Sequence, residues 1–158
     1  MKTKVAILSY FISSLVFLGY DCSHEFSLVA KVIPKGTGKG KKQKDQDRLC
    51  DTLYYEYTLY TGCMIEFPYL PARPEKFYGF DEVAGVRYLV MERLEADLYA
   101  LCTRGPKLST RDIAKWGIQI LNGLKWIHNL GFVFVDVKPE NFMIKEDKLF
   151  FIDCKNLN

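Results

Sequence analysis

Apolar residues fall into short β-like runs over the first ninety residues and into one long helical stripe in the last third. The first run, Val5 to Tyr20, is uncharged and follows Lys2 and Lys4, the layout of a signal segment. Against that, a cut after Gly19 places Phe17 three residues upstream, where a small residue is wanted. The run is also short of the roughly 20 residues that a membrane span needs. Tyr10, Phe11, Ile12, Val16 and Phe17 favour strands, so the run is read as a β-hairpin, with the signal segment as the competing form.

Phe26 to Ile33, closed by Pro34, predicts a strand. In Leu49 to Gly62, Leu53, Glu56, Tyr57 and Tyr60 sit at helical spacing with a glycine after them, which predicts a helix. Three prolines make Phe67 to Pro74 a loop, and the runs 76–80 and 86–92 read as strands around a turn at 81–85. Ser109, with Asp112 three residues on, starts a helix that runs to Leu130 and stops at Gly131. Ile113, Trp116, Ile120, Leu124 and Ile127 form its core stripe. Phe132–Val135 and Lys148–Asp153 complete the strands. This pattern is of the α+β class.

Composition narrows the classes. A chain of 158 residues, 49% hydrophobic and 26% charged, is globular rather than disordered or fibrous. The net charge of +3 gives no ground for specific nucleic-acid or membrane binding. That charge is unevenly spread: seven basic and two acidic residues between Lys31 and Arg48 give +5, leaving −2 elsewhere. Its core, Lys35 to Lys42, reads as a solvated loop, with docking to an acidic partner as the alternative. Five scattered cysteines without metal spacing imply free thiols in a reducing compartment, cytoplasm or nucleus.

The chemistry concentrates in Phe134-Val135-Asp136-Val137-Lys138-Pro139-Glu140-Asn141. A loop carboxylate, a lysine two residues on and an asparagine five residues on suit phosphoryl transfer. In such a loop Asp136 can accept the proton of an attacking hydroxyl, Lys138 can stabilise charge on the transferring phosphate, and Asn141 can ligate a divalent metal. Twelve residues further, Asp153 is a second carboxylate at an expected strand end, where it could hold Mg2+.

On these motifs the chain resembles the eukaryotic-type Ser/Thr protein kinases, most closely the casein-kinase-one and vaccinia-related kinase branch, over Leu15 to Asp153. The resemblance implies a small β-rich lobe over residues 5–91, a hinge at 92–94 and the start of a helical large lobe over 95–158. It implies that Lys31 contacts nucleotide phosphates and that Glu56 pairs with it. Met91 then lines the back of the nucleotide pocket, while Glu92 and Leu94 belong to the hinge that holds adenine. ATP and Mg2+ are the implied cofactors, and a protein is the implied substrate.

The chain departs from the family pattern in four places. Ser9, Phe11 and Ser14 stand where three glycines are expected, and Phe134-Val135 replaces His-Arg. Cys154-Lys155 follows Asp153 where Phe-Gly is usual, and Asn158 comes before the activation segment and later helices. Without those helices the apolar face of the 109–130 helix is expected to be partly exposed. The alternative function is therefore a catalytically weak or inactive kinase-like module that binds nucleotide or serves as a scaffold.

Overall fold

The structure, a computed structural model, describes residues 6–10, 15–21, 26–34, 41–64, 66–71, 78–81 and 85–154. Two compact units divide the chain, one of Met1–Thr58 and Ala72–Arg93, the other of Leu59–Pro71 and Leu94–Asn158.

The first unit is an antiparallel sheet built from β1 (Ala6–Tyr10), β2 (Leu15–Asp21), β3 (Phe26–Pro34), β4 (Tyr78–Asp81) and β5 (Val86–Glu92), in the order β1-β2-β3-β5-β4. The expected hairpin is β1 and β2, with an irregularity in register between Ile7 and Ser9. Of the three positions where glycines are expected, Ser9 lies in β1, while Phe11 and Ser14 lie outside the described residues. Strands β3 and β5 carry the β-branched and aromatic runs that sequence pattern marks. They pair along their length, from Leu28 opposite Glu92 to Pro34 opposite Val86. Ile33, Leu89 and Met91 are buried.

Helix α1 (Lys41–Thr61) begins eight residues before the expected start at Leu49. The expectation followed apolar periodicity, which stops at Leu49. The stretch Lys41-Lys-Gln-Lys-Asp-Gln-Asp-Arg48 has none, yet Lys, Gln and Arg are good helix formers. Lys41 and Lys42 are thus helical rather than loop, and the rest of the Lys35–Lys42 stretch lies outside the described residues.

The second unit contains α2 (Leu98–Arg104), α3 (Thr110–Asn129) and a small sheet, β6 (Ala96–Asp97), β7 (Phe142–Lys145) and β8 (Lys148–Phe151), in that spatial order. Ser109 caps α3 as its spacing predicts: the hydroxyl accepts from the Asp112 amide at 3.1 Å and donates to the Asp112 carboxylate at 2.6 Å. Gly131, at φ +84, takes the left-handed turn that ends the helix. Phe132 N donates to Ile127 O, so this segment begins by closing the helix. That is why the expected strand 132–135 reduces to a single bridge at Phe134.

One face of α3 buries Trp116, Gly123 and Ile127. Ile113, Ile118 and Leu121 are 58%, 59% and 67% exposed, as expected for part of the apolar surface, although Ile113 belongs to the stripe assigned to the core. Gly123 lies directly under the Phe151 ring, and a Cβ there would sit 2.5 Å from two ring carbons. The ring is fully buried and meets Phe67, Phe134 and Phe142 edge-on, with centroids 5.3, 5.4 and 5.0 Å away. It has no room to yield.

Two glycines of α3 therefore respond oppositely to alanine. Gly117→Ala, with nothing within 4 Å of the new methyl, gains about 1 kcal/mol of helix propensity. Gly123→Ala meets Phe151, and the overpacking cost of roughly 1–3 kcal/mol, set against the same propensity gain, leaves a net loss of up to about 2 kcal/mol. Denaturant midpoints of the two variants, moving in opposite directions, check this.

Candidate functional site

Strand β3 places Lys31 directly opposite Leu89 of β5, so its side chain shares the face that buries Leu89 and Met91. An ammonium on that face needs a counter-charge, and α1 supplies Glu56. Lys31 Nζ donates to both carboxylate oxygens, at 2.9 Å to Oε1 and 3.0 Å to Oε2. Glu56 is 1% exposed and Lys31 14%, so little water screens the pair. The result is a cation fixed in position, able to neutralise an anionic ligand. Of the other residues expected around a nucleotide, Met91 is buried in β5, Glu92 ends that strand, and Leu94 is buried in the second unit.

In the second unit the loop after α3 brings Asp136, Lys138 and Asn141 together. Lys138 Nζ lies 2.7 Å from Asp136 Oδ2. Asn141 Nδ2 donates to the same Oδ2 at 3.0 Å and to the Asp136 carbonyl at 2.8 Å. One carboxylate oxygen thus takes both side-chain donors. The hydrogen bond from Lys138, then that from Asn141, holds the Asp136 carboxyl below its ordinary range. The same Asp136 bond pushes Lys138 up. Asp153 lies within electrostatic reach of both and adopts φ +59, a left-handed conformation that aspartate tolerates better than most residues.

Glu56 and Asn141 are the two buried polar or charged side chains among the described residues, and each belongs to one of these groupings. Asn141 also accepts at its carbonyl from Ile152 N, at 3.0 Å, which ties it to the strand end carrying Asp153. Its amide nitrogen is engaged by Asp136, so the amide oxygen is the ligand atom it offers. With the Asp153 carboxylate this makes two hard oxygens, a donor set that fits Mg2+ bound jointly with phosphates and water. Among the described residues no cluster of three or more His, Cys, Asp or Glu can hold a metal. Cys63, Cys102 and Cys154 are in no disulfide.

Pattern reading from sequence does not find the device that places these residues. β7 and β8 form a hairpin whose two-residue turn, Glu146-Asp147, has both residues at positive φ, 49 and 66. Asn-Gly is the usual signal for that turn, and Glu-Asp gives none. The phenylalanines at 134, 142 and 151 carry the only trace in the sequence, since each lies within two residues of Asp136, Asn141 or Asp153.

A family model described as protein kinase domain matches residues 14–153. The chain is 43% identical over 60 residues to the mitogen-activated protein kinase sty1 of Schizosaccharomyces pombe, covering 38% of this chain and 17% of that one. It is 37% identical over 70 residues to spm1, a mitogen-activated protein kinase of the same organism, covering 44% and 16%. Cyclin-dependent kinase F-4 of Oryza sativa subsp. japonica is 32% identical over 69 residues, covering 43% and 15%. The chain spans about one sixth of the length of these relatives. They do not support the expected casein-kinase-one and vaccinia-related branch. The Asp136 to Asn141 motif that prompted that assignment serves chemistry shared by protein kinases at large, so it cannot select a branch.

Two consequences can be measured. Lys31→Met strands the buried Glu56 carboxylate and lowers stability by about 3 kcal/mol or more, while Lys31→Met with Glu56→Leu recovers most of the loss. Chemical denaturation of the two variants checks it. The Asp136 carboxyl titrates below the ordinary value of about 3.9. Its contribution to stability is thus complete above that range and lost as pH falls through the lowered midpoint. Lys138→Met moves the midpoint up toward the ordinary value, read by carboxyl-carbon NMR.

Proposed function

The chain belongs to the protein kinase family, and from that premise we propose that it transfers the γ-phosphate of ATP to a protein hydroxyl with Mg2+. The observation that carries this reading is the double engagement of Asp136 Oδ2 by Lys138 and Asn141. It leaves Oδ1 to accept the hydroxyl proton while the carboxyl stays ionised. As that proton leaves, the hydroxyl oxygen bonds to the γ-phosphorus, and the bond from that phosphorus to the bridging oxygen breaks to release ADP. Lys138 offsets charge on the moving phosphoryl group. Asn141 and Asp153 are assigned to Mg2+, which neutralises phosphate charge when bound. Lys31, clamped by Glu56, is assigned to nucleotide phosphates, with Met91, Glu92 and Leu94 around adenine.

The branch suggested by the relatives is that of the mitogen-activated and cyclin-dependent kinases. An intracellular setting is part of the proposal, and no helix among the described residues is long and apolar enough to cross a membrane. An acidic partner for Lys35–Lys42 rests on the local charge alone. The second reading, a weak or inactive nucleotide-binding or scaffold module, is favoured by Ser9, Phe11 and Ser14 at the glycine positions. A residue with a Cβ allows backbone amides a less close approach to phosphates than glycine does.

Thermal unfolding with Mg·ATP separates the two. A ligand at one hundred times its Kd adds about 2.7 kcal/mol, a rise of several degrees for a domain of this size. Each variant is compared with its own nucleotide-free midpoint, and the shift is expected to vanish in Lys31→Met and Asp153→Asn. Phosphate transfer from labelled ATP to a generic protein acceptor, lost in Asp136→Asn, supports the enzyme. A shift without transfer leaves the binding module, and no shift at millimolar Mg·ATP removes the nucleotide from both readings.

A further inference from the structure

Strand β8 is an outer strand of the small sheet, and its register with β7 decides which of its amides face outward. The two-residue turn makes Lys145 and Lys148 a hydrogen-bonded pair, and alternation makes Met143 and Phe150 the next one. The amides of Leu149 and Phe151 therefore point away from β7, along the outer edge. Both are capped without a further strand. Leu149 N donates to the side-chain oxygen Oε1 of Gln119, on α3, at 2.9 Å, and Phe151 N donates to the Tyr69 carbonyl at 2.8 Å. Leu149 and Phe151 are fully buried, so an amide left there without an acceptor is costly. Lys115, one turn before Gln119, also reaches this hairpin, at Asp147 Oδ2 2.9 Å away. That pair is 42% and 72% exposed and contributes little, so the link from α3 to the edge rests on Gln119.

The strand covered in this way has the composition of a self-pairing segment. Lys148-Leu149-Phe150-Phe151-Ile152 holds four apolar residues in a row, aromatic and β-branched types among them, with no proline and no glycine. A charge stands at each end of the row, Lys148 before it and Asp153 after it, the placement that keeps hydrophobic strands from joining one another. An edge of this kind is a template for a further strand unless something occupies its polar groups. We propose that Gln119 guards the β8 edge: its side-chain oxygen takes the place of a neighbouring strand and keeps Lys148–Ile152 from pairing with the same segment of a second copy of the chain. The occupant is a second copy because an identical strand supplies acceptors to the outward amides and meets the apolar row with like residues. Tyr69 caps its amide from the backbone, which no substitution removes. Gln119 caps by a side chain, so it is the part of the guard that a single change can open.

Three variants of the full chain test this. Gln119→Leu keeps the bulk and removes the acceptor, while Gln119→Glu keeps an acceptor. Ile127→Val loosens the buried face of α3 by a comparable amount and touches neither cap. One measurement is hydrogen exchange of the Leu149 amide relative to that of Phe151. The other is binding of a fluorescent peptide with the sequence Lys148–Asp153, read by anisotropy. Gln119→Leu is expected to speed the relative exchange of Leu149 about tenfold, and to bind the peptide about tenfold or more tighter than the unaltered protein. Gln119→Glu and Ile127→Val are expected to do neither. The peptide's Phe150→Pro form, which lacks an amide in mid-strand, is expected to bind to none of them. Gln119→Ala gives the same test if Gln119→Leu does not fold. Unchanged Leu149 exchange, faster exchange with no gain in peptide binding, an equal gain in Ile127→Val, or equal binding of the proline peptide overturns the proposal.

Discussion

The packing of Phe151 is the constraint on which the second unit depends. Its ring is enclosed by Phe67, Tyr69, Phe134 and Phe142, with the bare backbone of Gly123 beneath it. Its amide also donates to Tyr69 O at 2.8 Å. One residue thereby joins the loop after α1, helix α3, the 132–138 segment and the small sheet. Aromatic pairs add roughly 0.5–1.5 kcal/mol each beyond the area they bury, but their structural effect is larger. Edge-to-face contacts leave few alternative placements for the rings.

The first unit depends on an electrostatic constraint. A lysine on the buried face of a sheet is tolerable only with a carboxylate to match, and both Oε atoms of Glu56 contact Lys31. Replacing such a pair by apolar residues is often neutral or stabilising. The constraint is therefore one of pairing: a carboxylate is required there because the lysine is there. Asn141 is likewise buried, in a largely aromatic setting, and its side-chain amide is satisfied through Asp136.

Much of this was legible in the sequence where a periodic pattern meets a clear punctuation mark. β5 covers the expected run Val86–Glu92, β3 ends at Pro34 as expected, and α3 begins after Ser109 and ends before Gly131. Legibility failed where stability comes from charge or from tertiary context. The polar first turns of α1 have no apolar stripe to reveal them, and the strands β6 and β7 are too short to show a period. The turn Glu146-Asp147 gives no sequence signal, because its left-handed residues are held by the hairpin and by Glu95, which accepts from the Glu146 amide. The site motif was legible as a set of residue types. Its internal wiring, with Lys138 and Asn141 sharing one oxygen of Asp136, was not, since spacing does not say which atoms meet.

The exposed isoleucines and leucine of α3 also bear on calorimetry. The heat-capacity change on unfolding tracks the apolar surface newly wetted, at about 0.45 cal/mol/K per Å2, and the denaturant slope tracks the total area exposed. Ile113, Ile118 and Leu121 already meet water over more than half of their area in the folded state and contribute correspondingly less to both. These positions therefore add less to the curvature of the stability curve than fully buried residues of the same type. Apolar area at these three positions is thus partly spent on the outside of the described structure.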